Sequence, residues 1–444
     1  MKILLSNALA VILIATVPVL AQDDGVQHPE LPPLIEGLAQ NHGILELDSL
    51  VAEALVNNPR LQAAQHQAEA TRAQVRQRRA WEPPEIGIEF YQTPIQSFPD
   101  PVADGMETDY FIQQMIPFPG KIAAMAKAAR SNADMFVENY NALERKLIRD
   151  LKSAYYELYF VQRKIAINAE NRALMRQFVD IAMKQYEVGM GKQVDIFRAQ
   201  TELSSLITEG INLEQEKKVT EAMINTILNR PANSPLGYVP DVTDTTATWT
   251  FNQIVPLALD ARPELKEMDH NINMNSAELA LSKREYLPDL MVRFMYKDMT
   301  NTGDDFWALM GGVSVPLAFW SKGKFKGKVQ ENQLNLKRAE EEYTEMKNMI
   351  LFEVQQALVK VESNKNVLTL YENTVVPQAE QTMQSTLAVY QTGKTEFLML
   401  IDAYRMLLMA KLDYYMAVMN YMTSQAELEQ AVGMDIQEVS TRLF

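Results

Sequence analysis

One spacing constrains this chain more than any other feature: the sequence repeats itself at an offset of 204 residues. Ala54, Leu55, Pro59 and Leu61 return as Ala258, Leu259, Pro263 and Leu265. Pro84 followed by Glu85-Ile86 returns as Pro288 followed by Asp289-Leu290, and Tyr186 and Gly189 return as Tyr390 and Gly393. Ala199, Leu203 and Ala222 return as Ala403, Leu407 and Ala426. Single apolar matches arise easily by chance, but one offset shared by Pro, Tyr and Gly landmarks does not. The chain is therefore read as one structural unit built twice. The similar segments cover roughly 45–237 and 250–440, joined by the Pro-, Thr- and Asp-rich link 231–250. Dividing the whole chain gives a leader over 1–21, a first repeat over 22–237 and a second over 238–444.

Each unit reads as two short helices, two strands and then very long helices. Asp48 is placed to cap the first helix, and Asn57-Asn58-Pro59 breaks it, with Pro59 in the opening turn of the next. Neither Gly nor Pro occurs from Lys121 to Val188, which predicts a helix over 121–188 of about 100 Å. Its apolar stripe is Leu143, Leu147, Leu151, Ala154, Leu158, Val161 and Ile165. The stripe advances by about 3.67 residues per step, nearer the 11-residue repeat than the heptad. Gly189 and Gly191 end this rod, and 192–229 returns antiparallel to it. In the second unit a rod over 324–392 is expected to kink or break at Pro377, and 394–432 returns after Gly393.

Strands are predicted at about 85–92 and 108–116, and at 289–298 and 306–316. Ile86, Ile88 and Phe90 alternate with Glu85, Gly87 and Glu89; Val292, Phe294 and Tyr296 alternate with Arg293 and Lys297. Trp307, Leu309 and Val313 alternate with Ala308, Met310 and Gly312. Alternation of this kind suits a strand between lipid and a watery lumen, and equally a soluble sheet covered on one face. Two arguments favour the membrane. The rods leave the strands directly at 117–121 and 316–324, so little local core covers the apolar face. Four strands cannot close a barrel, and a membrane tolerates no open edge, so several copies must share one barrel.

Composition narrows the function. Lys and Arg total 42 against 57 Asp and Glu, a formal charge of −15, which argues against binding a nucleic-acid backbone. Cys is absent, which removes disulfides, thiolate metal sites and Cys nucleophiles. The four His (His28, His42, His66 and His270) are scattered without an HExxH pair. No catalytic triad, phosphate loop or carboxylate pair is found, so no enzyme, no cofactor and no metal site is expected. The apolar run 3–20 ending in Val19-Leu20-Ala21 reads as a secretory leader cut after Ala21. The rest of the chain has no apolar run near the ~18 residues that a membrane helix needs.

With these features in place, the chain resembles the TolC-type outer-membrane efflux factor family, in its heavy-metal (cation) branch. The resemblance runs through 47–61, the strand–helix junctions Gln114-Met115-Ile116-Pro117-Phe118-Pro119-Gly120-Lys121 and Ser314-Val315-Pro316-Leu317 to Lys324, and the segments 186–202 and 390–407. It implies a mainly helical fold: two tandem repeats of long antiparallel helices with two strands each, assembling as a trimeric twelve-stranded β-barrel on an α-helical barrel. It further implies residence in the outer membrane with a long periplasmic extension. The partners it implies are outer-membrane lipid, a periplasmic adaptor protein and an inner-membrane pump of the RND type. Many relatives carry a lipidated N-terminal Cys; without one, anchoring would rest on the barrel. The reading kept beside this one is a soluble periplasmic coiled-coil scaffold or adaptor without channel activity.

Four groups of residues are singled out. The resemblance places a periplasmic gate at positions six and nine after Gly393, here Met399 and Asp402, with Asp195 and Arg198 at the matching first-half positions. A ring of Asp402 carboxylates would repel anions and bind cations, or Asp402 could simply pair with Arg198 or Arg405. The hairpin ends Val188, Gly189, Met190, Thr392, Gly393 and Lys394 are candidates for adaptor docking, since an exposed turn has little structural need for Val and Met. Trp320 with Lys322, Lys324, Lys326 and Lys328 suits the membrane interface, the alternative being a solvated turn. Met399, Met406, Met409, Met416, Met419 and Met422 recur by sevens and threes, which is read as core packing rather than soft-metal ligation.

Overall fold

The computed structural model describes residues 43–91, 93–99, 107–241, 249–299, 303–316, 320–435, 438–439 and 441; the leader expected over 1–21 lies outside them. The first unit contains α1 (Leu47–Asn57), α2 (Pro59–Arg79), β1 (Glu85–Tyr91), β2 (Glu107–Ile116), α3 (Lys121–Glu187) and α4 (Gln193–Ile227). The second contains α5 (Phe251–Ala261), α6 (Pro263–Arg284), β3 (Leu290–Asp298), β4 (Phe306–Val313), α7 (Lys322–Leu370), α8 (Val376–Gln391) and α9 (Phe397–Val432).

Local chemistry sets the breaks. Glu46, not Asp48, stands just before α1; Asp48 lies in the first turn, where a carboxylate meets the positive end of the helix dipole. Asn58 caps α2, its Oδ1 accepting from the Arg60 and Leu61 N–H groups at 3.0 and 3.2 Å. The second rod stays helical through Pro377 but changes its pattern just before it. It begins at Lys322, and between α7 and α8 lies a π-helical turn, Tyr371–Val375. Pro377 has no N–H to donate and its ring crowds the carbonyl one turn earlier, and the wider turn absorbs both defects. The first rod has no Pro and runs unbroken through its 67 residues.

The four strands form one antiparallel sheet in the order β1-β2-β3-β4, so the two units are joined by pairing of β2 with β3. The register sets Ile88 opposite Tyr110, Tyr110 opposite Tyr296 and Tyr296 opposite Trp307. One face thus gathers Ile86, Ile88, Phe90, Ile112, Val292, Phe294 and Leu309 with those aromatics, and all of them are exposed. Moving one such side chain out of water is worth roughly 1.5–3 kcal/mol. They are 41–79% exposed, so covering all ten is worth roughly 8–16 kcal/mol, comparable to the ~5–15 kcal/mol net stability of an ordinary domain. The other face carries charge: Glu89 pairs with Arg293, and Lys297 with Glu107 and Asp109. The Arg293 guanidinium lies 3.7 Å from the centroid of Phe111. The Phe111 ring in turn covers Gly87, where a Cβ would come within 2.4 Å of it. The outer edges of β1 and β4 have no partner strand among the described residues.

Helical packing follows the duplication. Leu50, Ala54, Ile224 and Leu228 sit in one core cluster, and their counterparts Ile254, Ala258, Leu428 and Val432 in another. Asn58 Nδ2 donates to the Ile227 carbonyl at 2.8 Å, and Arg262 Nη1 to that of Ala431 at 3.1 Å; donor and acceptor are 169 positions apart in both. Different side chains therefore satisfy the same orphan carbonyl at a helix C-terminus. Near the middle of α3, buried Arg163 pairs with Asp241 and is surrounded by the rings of Tyr159, Tyr238 and Tyr415. With Gln162 donating to Gly237 O at 3.1 Å and accepting from Val239 N–H at 2.9 Å, it holds the segment that follows α4 against the rods.

The stack of Gly87, Phe111 and Arg293 yields a prediction. Gly87→Val displaces Phe111 and separates Arg293 from Glu89, and is expected to lower the heat resistance of the detergent-solubilised protein on gel electrophoresis. Ile88→Val on the opposite face serves as control and should change little.

Candidate hairpin-tip site

Two helical hairpins, α3–α4 and α8–α9, end beside one another. The first turn is closed by Met190 and Gly191 N–H groups donating to Gln185 O at 2.8 Å, with Gly189 at φ +76°. The second is closed by Gly393 N–H to Tyr390 O at 2.9 Å and Lys394 N–H to Val389 O at 3.2 Å, with Gly393 at φ +70°. These left-handed positions follow a helix C-terminus and suit glycine. Val188, Met190, Thr392 and Lys394 are exposed around them, and a Cβ on Gly393 would come within 2.8 Å of the Met190 methyl.

Polar contacts hold the two tips together. Gln185 Nε2 donates to Gln391 O at 3.1 Å, and Lys192 Nζ lies 3.2 Å from Glu396, its counterpart 204 positions on. Arg405 grips Glu202 with two hydrogen bonds, at 2.7 and 3.2 Å. An exposed pair such as Lys192–Glu396 contributes about 0–1 kcal/mol, so these contacts set register more than stability. Cohesion comes from the cluster of Met175, Phe178, Leu206, Met383, Phe397, Leu400 and Tyr404 beneath. Phe178 and Tyr404 meet edge to face at 5.9 Å, and Tyr390 tilts over Phe397 at 5.5 Å. Neither Tyr390 Oη nor Tyr404 Oη has a hydrogen-bond partner among the described residues. Burial, and then the nearby Asp195, push Tyr390 up to about 12; burial and Glu202 raise Tyr404 as well.

The singled-out acidic residues divide. Asp195 is buried, accepts from the Lys192 N–H at 3.4 Å and lies 4.0 Å from Arg198 on its own helix. Asp402 is exposed and makes no hydrogen bond or ion pair among the described residues, because Arg405 turns to Glu202 and Arg198 to Asp195. Met399 stands exposed one turn before it. The reading of the methionine row as core needs correction: Met419 and Met422 pack on the core, but Met399, Met406, Met409 and Met416 are exposed. The period of a helix face is the same whether that face meets a neighbour or not, so spacing could not separate the two.

Far from the tips, Lys322, Lys324, Lys326 and Lys328 do not lie in a turn. They open α7 and are exposed, Lys328 reaching Glu285 at 2.6 Å, and Trp320 stands exposed just before them. Among the described residues no group of three or more His, Asp or Glu is placed to hold a metal, and no helix is long and apolar enough to cross a membrane. The Glu202–Arg405 and Lys192–Glu396 ties were not read from the sequence. Opposite charges at positions 192 and 396 were the available signal for the second.

The tip cluster sets a contrast in stability. Phe178→Ala should cost about 3–5 kcal/mol by opening a cavity. Tyr404→Phe should stay within about 1 kcal/mol of wild type, since the lost hydroxyl has no partner. Because neutral Tyr390 is favoured in the folded state, its contribution is full below pH 10 and fades as pH rises towards about 12. Thermal unfolding of the variants, and of wild type across that range, checks both statements.

Comparison with known proteins agrees with this architecture. The model of the outer membrane efflux protein family matches residues 50–230 and again 254–434, once in each half. Among characterised proteins, the chain is 20% identical to nodulation protein T of Rhizobium leguminosarum bv. trifolii, over 69% of this chain and 67% of that one. It is 18% identical to the cation efflux system protein CusC of Escherichia coli strain K12, over 82% and 80%. A solved structure of CusC superimposes with a TM-score of 0.75 at 17% identity, covering 87% of this chain and 92% of that one. A soluble scaffold would not be expected to match such a family in both halves, and the chain belongs to the outer membrane efflux protein family, as an outer-membrane channel component of an efflux system.

Proposed function

We propose that three copies of this chain join their sheets edge to edge into a twelve-stranded barrel in the outer membrane and their rods into a tube across the periplasm. One observation carries the reading: a sheet with one apolar, exposed face and two edges unpaired among the described residues, continuous with rods of about 100 Å. Lipid accepts the apolar face but not the edges, and pairing β1 of one copy with β4 of the next removes both. The charged face, with Glu89–Arg293 and Lys297–Glu107, then lines a water-filled lumen.

The channel is a passive conduit and does no chemistry. Energy comes from an inner-membrane pump, of the RND type, linked through a periplasmic adaptor that docks at Val188, Gly189, Met190, Thr392, Gly393 and Lys394. Apolar side chains standing in water at the tips support that docking role. Trp320, Lys322, Lys324 and Lys326 anchor the barrel end to anionic headgroups. Metal cations or small toxic compounds are the cargo, and the likeness to a cation efflux system protein supports the first. Asp402, with Met399 one turn before it and Asp195 and Arg198 at the matching first-half positions, forms the periplasmic gate.

Two measurements test the reading. Cell fractionation should recover a heat-modifiable trimer from the outer membrane; a soluble monomer would overturn the channel. Asp402→Ala should raise single-channel conductance in a planar bilayer, and unchanged conductance would remove Asp402 from the gate.

A further inference from the structure

Each outer strand of the sheet is flanked by a cluster of cations at the end where the rods begin. On the β1 side, Arg76, Arg78 and Arg79 close α2, and Trp81 follows, 57% exposed. On the β4 side, Lys322, Lys324 and Lys326 open α7 just after Trp320, 77% exposed. All six cations are exposed and none has an ion pair among the described residues, whereas Lys328 pairs with Glu285. Glu82, Glu85 and Glu331 are the acids nearest in sequence, so both flanks keep a positive excess on a chain of formal charge −15. Arginines suit a helix C-terminus. Lysines in a first turn instead meet the positive end of the dipole, and α7 has no acidic residue there to offset them.

Within one copy, α2 packs on α3, α3 on α6 and α6 on α7, so the two flanks lie at opposite ends of this row. Between copies they meet. Glu85, first in β1, and Val313, last in β4, both lie at the rod end of the sheet, and paired strands run about 4.8 Å apart. Arg79 stands six residues before β1 and Lys322 nine after β4. Closing β1 of one copy on β4 of the next therefore gathers both clusters at one seam, where like charges repel unless an anion lies among them. Lipid supplies that anion best. Ile86, Val313 and Val315 stand exposed and apolar beside the seam, Trp suits the headgroup level, and the arginine fork matches phosphate.

We propose that each seam between copies binds an anionic phospholipid. Its phosphate is held by Arg76, Arg78 and Arg79 of one copy and by the lysine row of the next, and its acyl chains lie along Ile86 and Val313. The lipid thus bridges two copies, which goes beyond anchoring either one. This site rests on the barrel reading, since only closure creates the seam.

Native mass spectrometry of the detergent-solubilised full chain, with phosphatidylglycerol, cardiolipin or phosphatidylcholine added, tests the proposal. The trimer should retain either anionic lipid roughly tenfold more tightly than phosphatidylcholine, and added salt should weaken the retention. That comparison needs no variant. Arg76→Gln/Arg78→Gln/Arg79→Gln and Lys322→Gln/Lys324→Gln/Lys326→Gln should each abolish most of the preference, and combining them should lose little more, because both act on one site. Equal retention of phosphatidylcholine, equal retention by monomer, or losses that multiply in the combined variant would overturn the shared site. Displacement of the lipid by excess inorganic phosphate would overturn the lipid as its occupant. A chain that stays monomeric with every lipid loses the barrel reading itself, whereas a trimer that shows no anionic preference loses only this site.

Discussion

Among the described residues, the four-stranded sheet has one apolar, exposed face and no partner strand at either outer edge. In water the apolar face is unfavourable, and in lipid each free N–H and C=O of an edge strand costs several kcal/mol. Both demands fall on the same four strands, and the proposed association of copies is what would meet both. The rods leave the sheet within a few residues of its ends. Their stability comes from burying stripes against one another, since propensity alone does not hold a helix of this length rigid.

Duplication gives the chain an economical way to make such a surface. Equivalent elements meet side by side, so equivalent positions become neighbours. Lys192 with Glu396 at the tips and Glu89 with Arg293 in the sheet are both pairs of counterparts 204 positions apart, with opposite charges. Identical residues at such positions would repel, and the two halves instead carry opposite charges there. The carbonyls of Ile227 and Ala431 show divergence of another kind, one satisfied by an amide and the other by a guanidinium. The geometry is kept while the chemistry changes.

At the tips the division of labour is between apolar cohesion and polar register. The buried rings of Phe178, Tyr390, Phe397 and Tyr404 hold the hairpins as a unit. Exposed ties such as Arg405–Glu202 contribute little energy and decide which side chains stay free. That choice leaves Asp402 without a hydrogen bond or ion pair among the described residues, though, behind Glu202, its charge still helps hold Arg405 protonated. The place of Asp402 in a row of exposed methionines is a consequence of α9 presenting one face that nothing within the protomer covers.

Much of this was legible in the linear chain. The offset of Pro, Tyr and Gly landmarks fixed the duplicated element order, and the absence of Gly and Pro fixed the first rod, because both act through local backbone geometry. Pro377 announced an irregularity, though not that a π turn would absorb it. What the chain could not specify was which partner each exposed group would meet. Whether Met406 is core or surface, whether Arg405 turns to Asp402 or Glu202, and that β2 joins β3 to make one sheet were decided by tertiary packing. Periodicity reports which residues share a face; only the approach of distant segments determines what that face sees.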